Sequence, residues 1–263
     1  MVDWSVAHGH QAVANERQRA QDRFKAVLDV HQAAIHVFET LPTIPQGRDA
    51  IKAGIRLRRG MDPRLSEEKI DEYVREMFEA IEADRRLGYE IIRGSALIAA
   101  CGAFEYVLKA TFVCQAKLEP AQAARLWSSK VPRPAPEPAA LDEMEQWFDI
   151  ADQLLKKLTS EAKMHQRAKR FLHDYTFLPL GREQEQIIER KFAELDADKF
   201  DEAFLIRHCL VHNGGRVNLR LSQCTDRGYG EPIEFQRNFL TPFMAQMRSL
   251  VGALDEVWIL GQI

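Results

Sequence analysis

Apolar residues recur three, four and seven positions apart along most of this 263-residue chain, and this is the spacing of one face of an α-helix. The segments with this pattern are residues 13–41, 66–118, 139–158, 161–177, 182–195, 198–212 and 237–259. Alternation typical of a strand is confined to Val217, Leu219 and Leu221. The sequence therefore predicts an all-α fold with at most a short hairpin between residues 216 and 235.

Proline-containing stretches separate the helical segments. Pro42 and Pro45 end the first helix, and the residues that follow, up to position 65, are interpreted as a connector with a basic cluster. The cluster consists of Arg56, Arg58 and Arg59. The sequence VPRPAPEP at residues 131–138 has four prolines and favours extended polyproline geometry over a helix. Taken alone, this spacer fits either a domain boundary or a long loop inside one bundle.

The segment from Ser66 to about Leu118 is the longest run of helical pattern. Ser66 and the two glutamates after it provide a capping residue and acidic side chains at a helix start. The pattern fits one long helix or two helices with a break near Gly88 or Gly94. Its second half is hydrophobic nearly all round, which predicts a central, buried helix.

Composition and charge limit the classes of function. The 46% hydrophobic and 29% charged residues predict a packed globular fold, and the net charge of −3 implies no general affinity for nucleic acid or anionic membrane. Any contact with nucleic acid therefore requires a local basic patch. The most apolar stretch, residues 95–113, is interrupted by Glu105 and Lys109, and the first residues lack the pattern of a signal peptide. We expect no membrane span and a cytoplasmic location.

The segment most informative about chemistry is FLIRHCLVHNGG, residues 204–215. Arg207 and His212 are separated by four residues and point about 140° apart on a helix, whereas His208 and His212, four positions apart, share a face. Asn213 and the two glycines after it are typical of a helix end. An arginine and two histidines thus cluster at the polar end of one helix.

This combination suits the cleavage of RNA without a metal ion. Histidine can take the proton of a ribose 2′-hydroxyl or protonate the leaving 5′-oxygen, and arginine can hold the phosphate and offset its developing charge. There is a structural alternative. A histidine near a helix C-terminus is favoured by the helix dipole alone, and Asn-Gly-Gly ends helices without any functional role.

The segment from Arg207 to Gly214 resembles the R-x4-6-H motif of the HEPN superfamily, including the asparagine that often follows the histidine. Upstream, Gly102-Ala103-Phe104-Glu105 resembles the small-x-Phe-Glu segment on the first core helix of HEPN domains of the RiboL-PSP type, where the acidic side chain faces the motif. The two elements occur in the same order as in that family. With a closing helix, the resemblance covers residues 87–260 or so.

The resemblance implies a four-helix HEPN-like bundle in residues 66–263, in which residues 131–138 form a loop. Residues 1–65 then form an N-terminal extension of an amphipathic helix and a connector. The implied activity is a metal-independent endoribonuclease that needs no cofactor and forms its active site across a homodimer. The implied catalytic residues are Arg207 and His212, supported by Glu105 and Asn213. Such domains occur in toxin–antitoxin and phage-defence systems, which implies an antitoxin or another defence protein as a partner.

Three other groups of residues remain to be interpreted. His208 and His212 have the spacing of two zinc ligands, but the glutamate that a zincin places after its first histidine is replaced by Cys209, so we expect no metal site. The four cysteines form no C-x-x-C pair and are interpreted as reduced thiols. The most basic stretch is either a solvated helix face or a surface for RNA phosphates. Its candidate residues are Lys163, Arg167, Lys169 and Arg170.

A second class of function stays open at this point. The chain could be a non-catalytic HEPN-like interaction module of a defence or toxin–antitoxin complex, in which the arginine–histidine motif only ends a helix and stabilises a dimer. The intact pair of Arg207 and His212 favours the nuclease. We therefore predict the nuclease, with His208 beside His212 in the catalytic group.

Overall fold

The computed structural model describes residues 4–40, 47–59, 66–86, 90–118, 121, 125, 144–157, 163–175, 182–236 and 239–260. The helices are α1 (Trp4–Thr40), α2 (Gly47–Arg59), α3 (Glu67–Arg86), α4 (Glu90–Leu118), α5 (Met144–Lys157), α6 (Met164–Tyr175), α7 (Arg182–Ala193), α8 (Ala197–His212), α9 (Leu219–Cys224) and α10 (Leu240–Leu260). Within these ranges the β-structure is limited to an isolated bridge between Arg216 and Pro232. The predicted all-α class is confirmed. The proline-rich spacer at 131–138 lies outside the described residues.

Helix α4 lies at the centre of the fold, as its apolar composition predicted. It packs against α1, α3, α5, α6, α8 and α10. The segment forms two helices, since α3 ends at Arg86 and α4 begins at Glu90; Gly94 lies inside α4, and Gly88 lies outside the described residues. Asp84, buried near the end of α3, accepts hydrogen bonds from the backbone N–H groups of Ile91 (2.9 Å) and Ile92 (3.3 Å). This carboxylate satisfies two donors in the first turn of α4 and helps to fix its start.

Aromatic side chains hold α8 against α4. Phe104 on α4 is buried and meets Phe200 edge-on at 5.5 Å between ring centroids and Phe204 at 6.2 Å. Phe243 on α10 closes the cluster, 5.7 Å from Phe200. Because Phe104 precedes Glu105 and Phe204 lies three residues before Arg207, this packing sets the position of the acidic and basic side chains relative to each other.

The N-terminal part of the chain contacts the same core. Phe24 and Leu28 of α1 are buried in the cluster that contains the α4 side chains. An ion pair between Arg248 of α10 and Asp29 of α1 lies at the surface beside them. Residues 47–59, interpreted as part of a connector, are helix α2, which packs on α3 with a salt bridge from Lys52 to Asp71 (2.7 Å). Basic residues and glycines interrupt the short apolar pattern of α2, so this helix was not predicted from the sequence.

The segment after α8 differs from the predicted strand. Leu219–Cys224 is helix α9, in which Asn218 accepts a hydrogen bond from the backbone N–H of Leu221 at 2.8 Å. Val217 and Leu221 are buried and Leu219 is exposed, so the apparent alternation arises from a turn of helix and the residue before it. The prediction of a strand at these residues was wrong. Backbone pairing does occur at Val217, whose N–H donates a hydrogen bond to the carbonyl of Glu231 at 2.9 Å.

One helix of the described chain, over Glu90–Cys114 of α4, is long and apolar enough to cross a membrane by length and composition. Of its most apolar window, 61% is buried inside the fold. The central helix of a packed bundle meets the same criterion, so this property is accounted for by the position of α4 in the core.

Candidate functional site

Helix α8 carries the arginine–histidine motif, with Arg207 half-buried towards α4 and His208 and His212 on its exposed side. Asp196 caps the start of the helix, and its side chain accepts a hydrogen bond from the backbone N–H of Lys199 at 3.2 Å. Its core-facing residues are Phe200, Ala203, Ile206 and Cys209. The helix ends at Asn213, followed by Gly214 and Gly215 with positive φ angles of 59° and 75°. The predicted helix end is therefore confirmed, and it leaves the motif in the last turns of α8.

Arg207 faces Glu105 of α4. Its Nη2 lies 3.7 Å from Oε2 of Glu105, and the two side chains are 29% and 23% exposed. The Nε of Arg207 is buried and has no hydrogen-bond partner in the described part of the chain. A buried N–H donor without a partner destabilises the fold. An oxyanion bound to this guanidinium would neutralise its positive charge and accept hydrogen bonds from it.

His208 and His212 are neighbours on the surface of α8, with ring centroids 4.7 Å apart. The shared face predicted from their spacing is confirmed. Partial burial lowers the pKa of His208 from its ordinary value, and the nearby charges of His212, Arg207 and Arg220 lower it further. His208 is therefore neutral over a wider range of pH than a histidine with the ordinary pKa, and its free ring nitrogen can accept a proton.

A titration checks this environment without any assumption about function. The NMR signals of the His208 ring should titrate with a midpoint below the ordinary histidine pKa of about 6.5. Replacing Arg220 with Gln removes one nearby positive charge, so the midpoint should move up towards that ordinary value. A midpoint at or above the ordinary value, or one that falls in the Arg220→Gln protein, would contradict the arrangement.

A cavity of about 650 Å³ opens beside this pair of histidines and is lined by residues of α4, α6, α8 and α9. Its wall includes Glu105, Arg207 and His208, with the aromatic ring of Phe204 and the side chain of Leu205 as an apolar part. Sites for small molecules and cofactors have volumes of about 300 to 1,000 Å³. The cavity is therefore large enough for a nucleotide-sized ligand.

The carboxylates on the cavity wall each have a basic partner. These pairs are Glu105 with Arg207 (3.7 Å), Asp198 with Lys163 (2.9 Å), Asp201 with His165 (2.8 Å) and Glu202 with Arg227 (3.1 Å). The wall also contains Arg167 and Arg220. Burial lowers the pKa of Arg167, and the nearby Arg220 lowers it further. Basic groups around the cavity thus outnumber its acidic ones once these partners are included.

The structure brings together only some of the residues proposed from the sequence. Glu105, Arg207, His208, Lys163 and Arg167 line the cavity. His212 and Asn213 are exposed at the end of α8; His212 joins the group through its contact with His208, and the N–H of Asn213 donates to the carbonyl of Cys209 at 2.9 Å.

Two of the proposed RNA-binding residues lie apart from this cavity. Lys169 forms a salt bridge with Glu189 of α7 at 2.6 Å and lines a different, smaller cavity with His173. Arg170 is exposed and does not belong to the lining residues. The basic stretch is therefore divided: its N-terminal end faces the arginine–histidine cavity, and the remainder covers other surfaces of the bundle.

Arg220 and Asp201 line the cavity but were not predicted from the sequence. Arg220 was missed because its segment was interpreted as irregular, although Asn218 with Leu221 and Cys224 three apart fits a short capped helix. Asp201 lies next to the buried Phe200 and accepts hydrogen bonds from the backbone N–H of His165 at 2.9 Å and from its ring. Its position on the apolar face of a helix could have identified Asp201 from the sequence, because a buried carboxylate requires a hydrogen-bonding or charged partner.

The described residues contain no group of three or more His, Cys, Asp or Glu side chains placed to hold a metal ion. Cys101, Cys114 and Cys209 are buried free thiols, and Cys224 is exposed. Burial raises the pKa of Cys101 well above its ordinary value, and Glu105 raises it further, so this thiol stays protonated and belongs to the core.

Comparison with known proteins gives no relative: no family model matches the chain, and neither a curated protein nor a solved structure is significantly similar to it. The fold and the site together define an all-α protein with an arginine–histidine cavity. Its function is therefore inferred from the chemistry of that cavity.

Proposed function

We propose that this protein is a metal-independent endoribonuclease of the HEPN type. The observation that carries the proposal is the convergence of Glu105, Arg207 and His208 on one cavity, with His212 beside His208. Acid, base and phosphate-binding groups lie in adjacent turns of α8 and on the facing helix α4. The same residues form the two segments that resemble HEPN domains.

Each side chain has a role in the proposed reaction. His208, whose pKa is lowered by burial and by neighbouring positive charge, takes the proton of the ribose 2′-hydroxyl. The 2′-oxygen attacks phosphorus, the bond from phosphorus to the 5′-oxygen breaks, and a protonated His212 gives its proton to that oxygen. The products carry a 2′,3′-cyclic phosphate and a 5′-hydroxyl. Arg207 holds the phosphate and Glu105 orients Arg207.

The proposed enzyme acts as a homodimer. One copy supplies a single strong phosphate ligand at the motif, and a two-fold arrangement of α8 would bring a second set of these groups to the same substrate. Val211, which precedes His212, is 46% exposed, and Leu219 and Tyr229 are also exposed apolar side chains in the segment after the motif. Exposed apolar residues next to polar functional groups are typical of an interface between protein chains.

Replacing Val211 with Glu should therefore disrupt the dimer. The wild-type protein is expected to be a dimer at micromolar concentration, and Val211→Glu should raise the dimer dissociation constant by a factor of about 10², because carboxylates opposed across a two-fold axis repel. Val30, exposed on α1, is the matched control, and Val30→Glu should remain dimeric. Light scattering measures both. A stable wild-type monomer that still cleaves RNA would contradict the composite site.

The proposal is tested with purified protein, a panel of RNA substrates and EDTA. Cleavage should be unaffected by EDTA and should yield cyclic phosphate ends that mass spectrometry can identify. The alternative function is a non-catalytic interaction module of a defence or toxin–antitoxin complex. A protein freed of partners that cleaves none of these RNAs, and that unfolds when His212 is replaced with Ala, would favour that alternative.

A further inference from the structure

Two arginines on different helices face the same cavity as the motif. Arg167 is on α6 and Arg220 is on α9, and both belong to the cavity wall together with Arg207. They are close enough for the charge of Arg220 to disfavour the charged form of Arg167. Glu105 and Asp201 act in the opposite sense and favour the charged form of Arg167. Two arginine side chains that line one cavity are a candidate site for an anion, and Arg220 is the one whose charge has to be accounted for.

The protein itself does not neutralise Arg220. This side chain is exposed at the cavity and forms no hydrogen bond or ion pair with another described residue. The carboxylates of the cavity wall form their ion pairs with groups other than Arg220: Glu105 with Arg207, Asp198 with Lys163, Asp201 with the ring of His165, and Glu202 with Arg227. An exogenous anion is thus the natural partner of Arg220.

The nature of the cavity indicates the kind of anion. Phe204 and Leu205 contribute apolar surface to the same wall, where a base can pack against an aromatic ring. The cavity of about 650 Å³ can hold one nucleotide unit. A polymer with regularly spaced phosphates and flat bases fits these features better than a single inorganic ion.

We propose that Arg167 and Arg220 form a second phosphate-binding subsite, which holds the phosphate next to the scissile one on the same strand of single-stranded RNA. The identification of the ligand as RNA rests on the proposed function. Arg207 would bind the scissile phosphate and this subsite its neighbour. The minimal good substrate is then a strand with at least two consecutive phosphates, and a dinucleotide with a single phosphate is a poor one.

A binding experiment tests the subsite without requiring cleavage. The probe is a fluorescein-labelled single-stranded oligonucleotide that is 2′-O-methylated at every residue and cannot be cleaved, and fluorescence anisotropy measures its affinity over a range of salt concentrations. Arg220→Gln and Arg167→Gln should each weaken binding about tenfold and reduce the slope of log affinity against log salt by about one. The matched control is Arg75→Gln, an exposed arginine of α3 whose loss should leave both quantities unchanged.

The fold of each variant is checked by circular dichroism and thermal melting. Arg220 is exposed, so its replacement should leave the melting temperature unchanged, and Arg167→Lys provides a second variant at the half-buried position. Lysine keeps the positive charge but lacks the planar guanidinium group. Arg167→Lys should therefore have an affinity and a salt slope between those of Arg167→Gln and the wild type.

The outcomes separate this inference from the proposed nuclease. Weakened binding in both Gln variants, together with RNA cleavage by the wild type, supports the two proposals. The same binding loss in a protein that cleaves no RNA supports the subsite and overturns the nuclease. Unchanged affinity and salt slope in Arg220→Gln, or a wild type that does not bind the probe at micromolar concentrations, overturns the subsite whether or not RNA is cleaved.

Discussion

The His212→Ala protein is expected to cleave RNA about 10² to 10⁴ times more slowly than the wild type, and Arg207→Ala should have an effect of the same order. His212 gives up a proton in the transition state, and Arg207 binds charge that develops there. The loss in His212→Ala should therefore appear mainly in kcat, with the affinity for the uncleavable oligonucleotide little changed. Arg207→Ala also removes a phosphate contact, so it should weaken that affinity about tenfold in addition to its larger effect on kcat. Single-turnover assays at saturating protein concentration measure the cleavage step directly.

Matched variants separate catalysis from folding. His212 is exposed at the end of α8, so removal of its ring should leave helicity and dimerisation nearly unchanged. His36→Ala, at an exposed position of α1, serves as the control for the loss of a histidine, and it should cleave RNA at the wild-type rate. A His212→Ala protein that is folded, dimeric and fully active would show that this histidine has no catalytic role.

The Phe104→Ala protein is expected to lose about 3 to 5 kcal/mol of its free energy of unfolding. Phe104 is 1% exposed and fills the contact between α4 and α8 through Phe200 and Phe204. Truncation leaves a cavity at that contact, and the aromatic pairs are lost as well. Urea denaturation monitored by circular dichroism gives the change.

Ile91 on the same helix provides the control for Phe104. Its side chain is 65% exposed, so Ile91→Ala should change the free energy of unfolding by no more than about 0.5 kcal/mol. Phe104→Ala should also reduce cleavage at temperatures where the variant is still folded, because it loosens the contact that places Glu105 against Arg207. A loss of stability as small as that of Ile91→Ala would place the α4–α8 contact outside the core.

Periodicity was sufficient to predict most of the helices, because each apolar face follows the spacing of a helix and packs against the core. It failed for short elements. Helix α2 has few apolar residues and several charges, and it is held partly by ion pairs with α3, such as that of Lys52 with Asp71. Helix α9 is only six residues long. Its Leu219 and Leu221, together with Val217 before the helix, have the same alternating spacing as a strand.

The candidate site was predictable where its residues lie on one helix or in a recognisable pair of segments. The contact of His208 with His212 follows from their spacing, and the ion pair of Arg207 with Glu105 agrees with the resemblance to HEPN domains. The contribution of α9 was not predictable, because Arg220 reaches the cavity only through the packing of α9 on α8.

The division of the basic stretch shows the same limit. Lys169 lies two residues after Arg167, about 200° around the helix, and therefore faces α7 instead of the cavity. Arg170 shares the face of Lys163 but lies seven residues further along α6. Spacing assigns a side chain to one side of a helix, and only the packing of neighbouring helices shows where along that side a cavity lies.

The most direct test of the proposed nuclease compares two oligonucleotides that differ at a single atom. Both carry the preferred cut site, and one has deoxyribose at the nucleotide whose 2′-hydroxyl would attack. With wild-type protein and EDTA, the all-ribose substrate should be cleaved to a 2′,3′-cyclic phosphate, and the deoxyribose substrate should remain intact at that position. Cleavage of both substrates, or inhibition by EDTA that added metal ions reverse, would contradict the mechanism assigned to Arg207, His208 and His212.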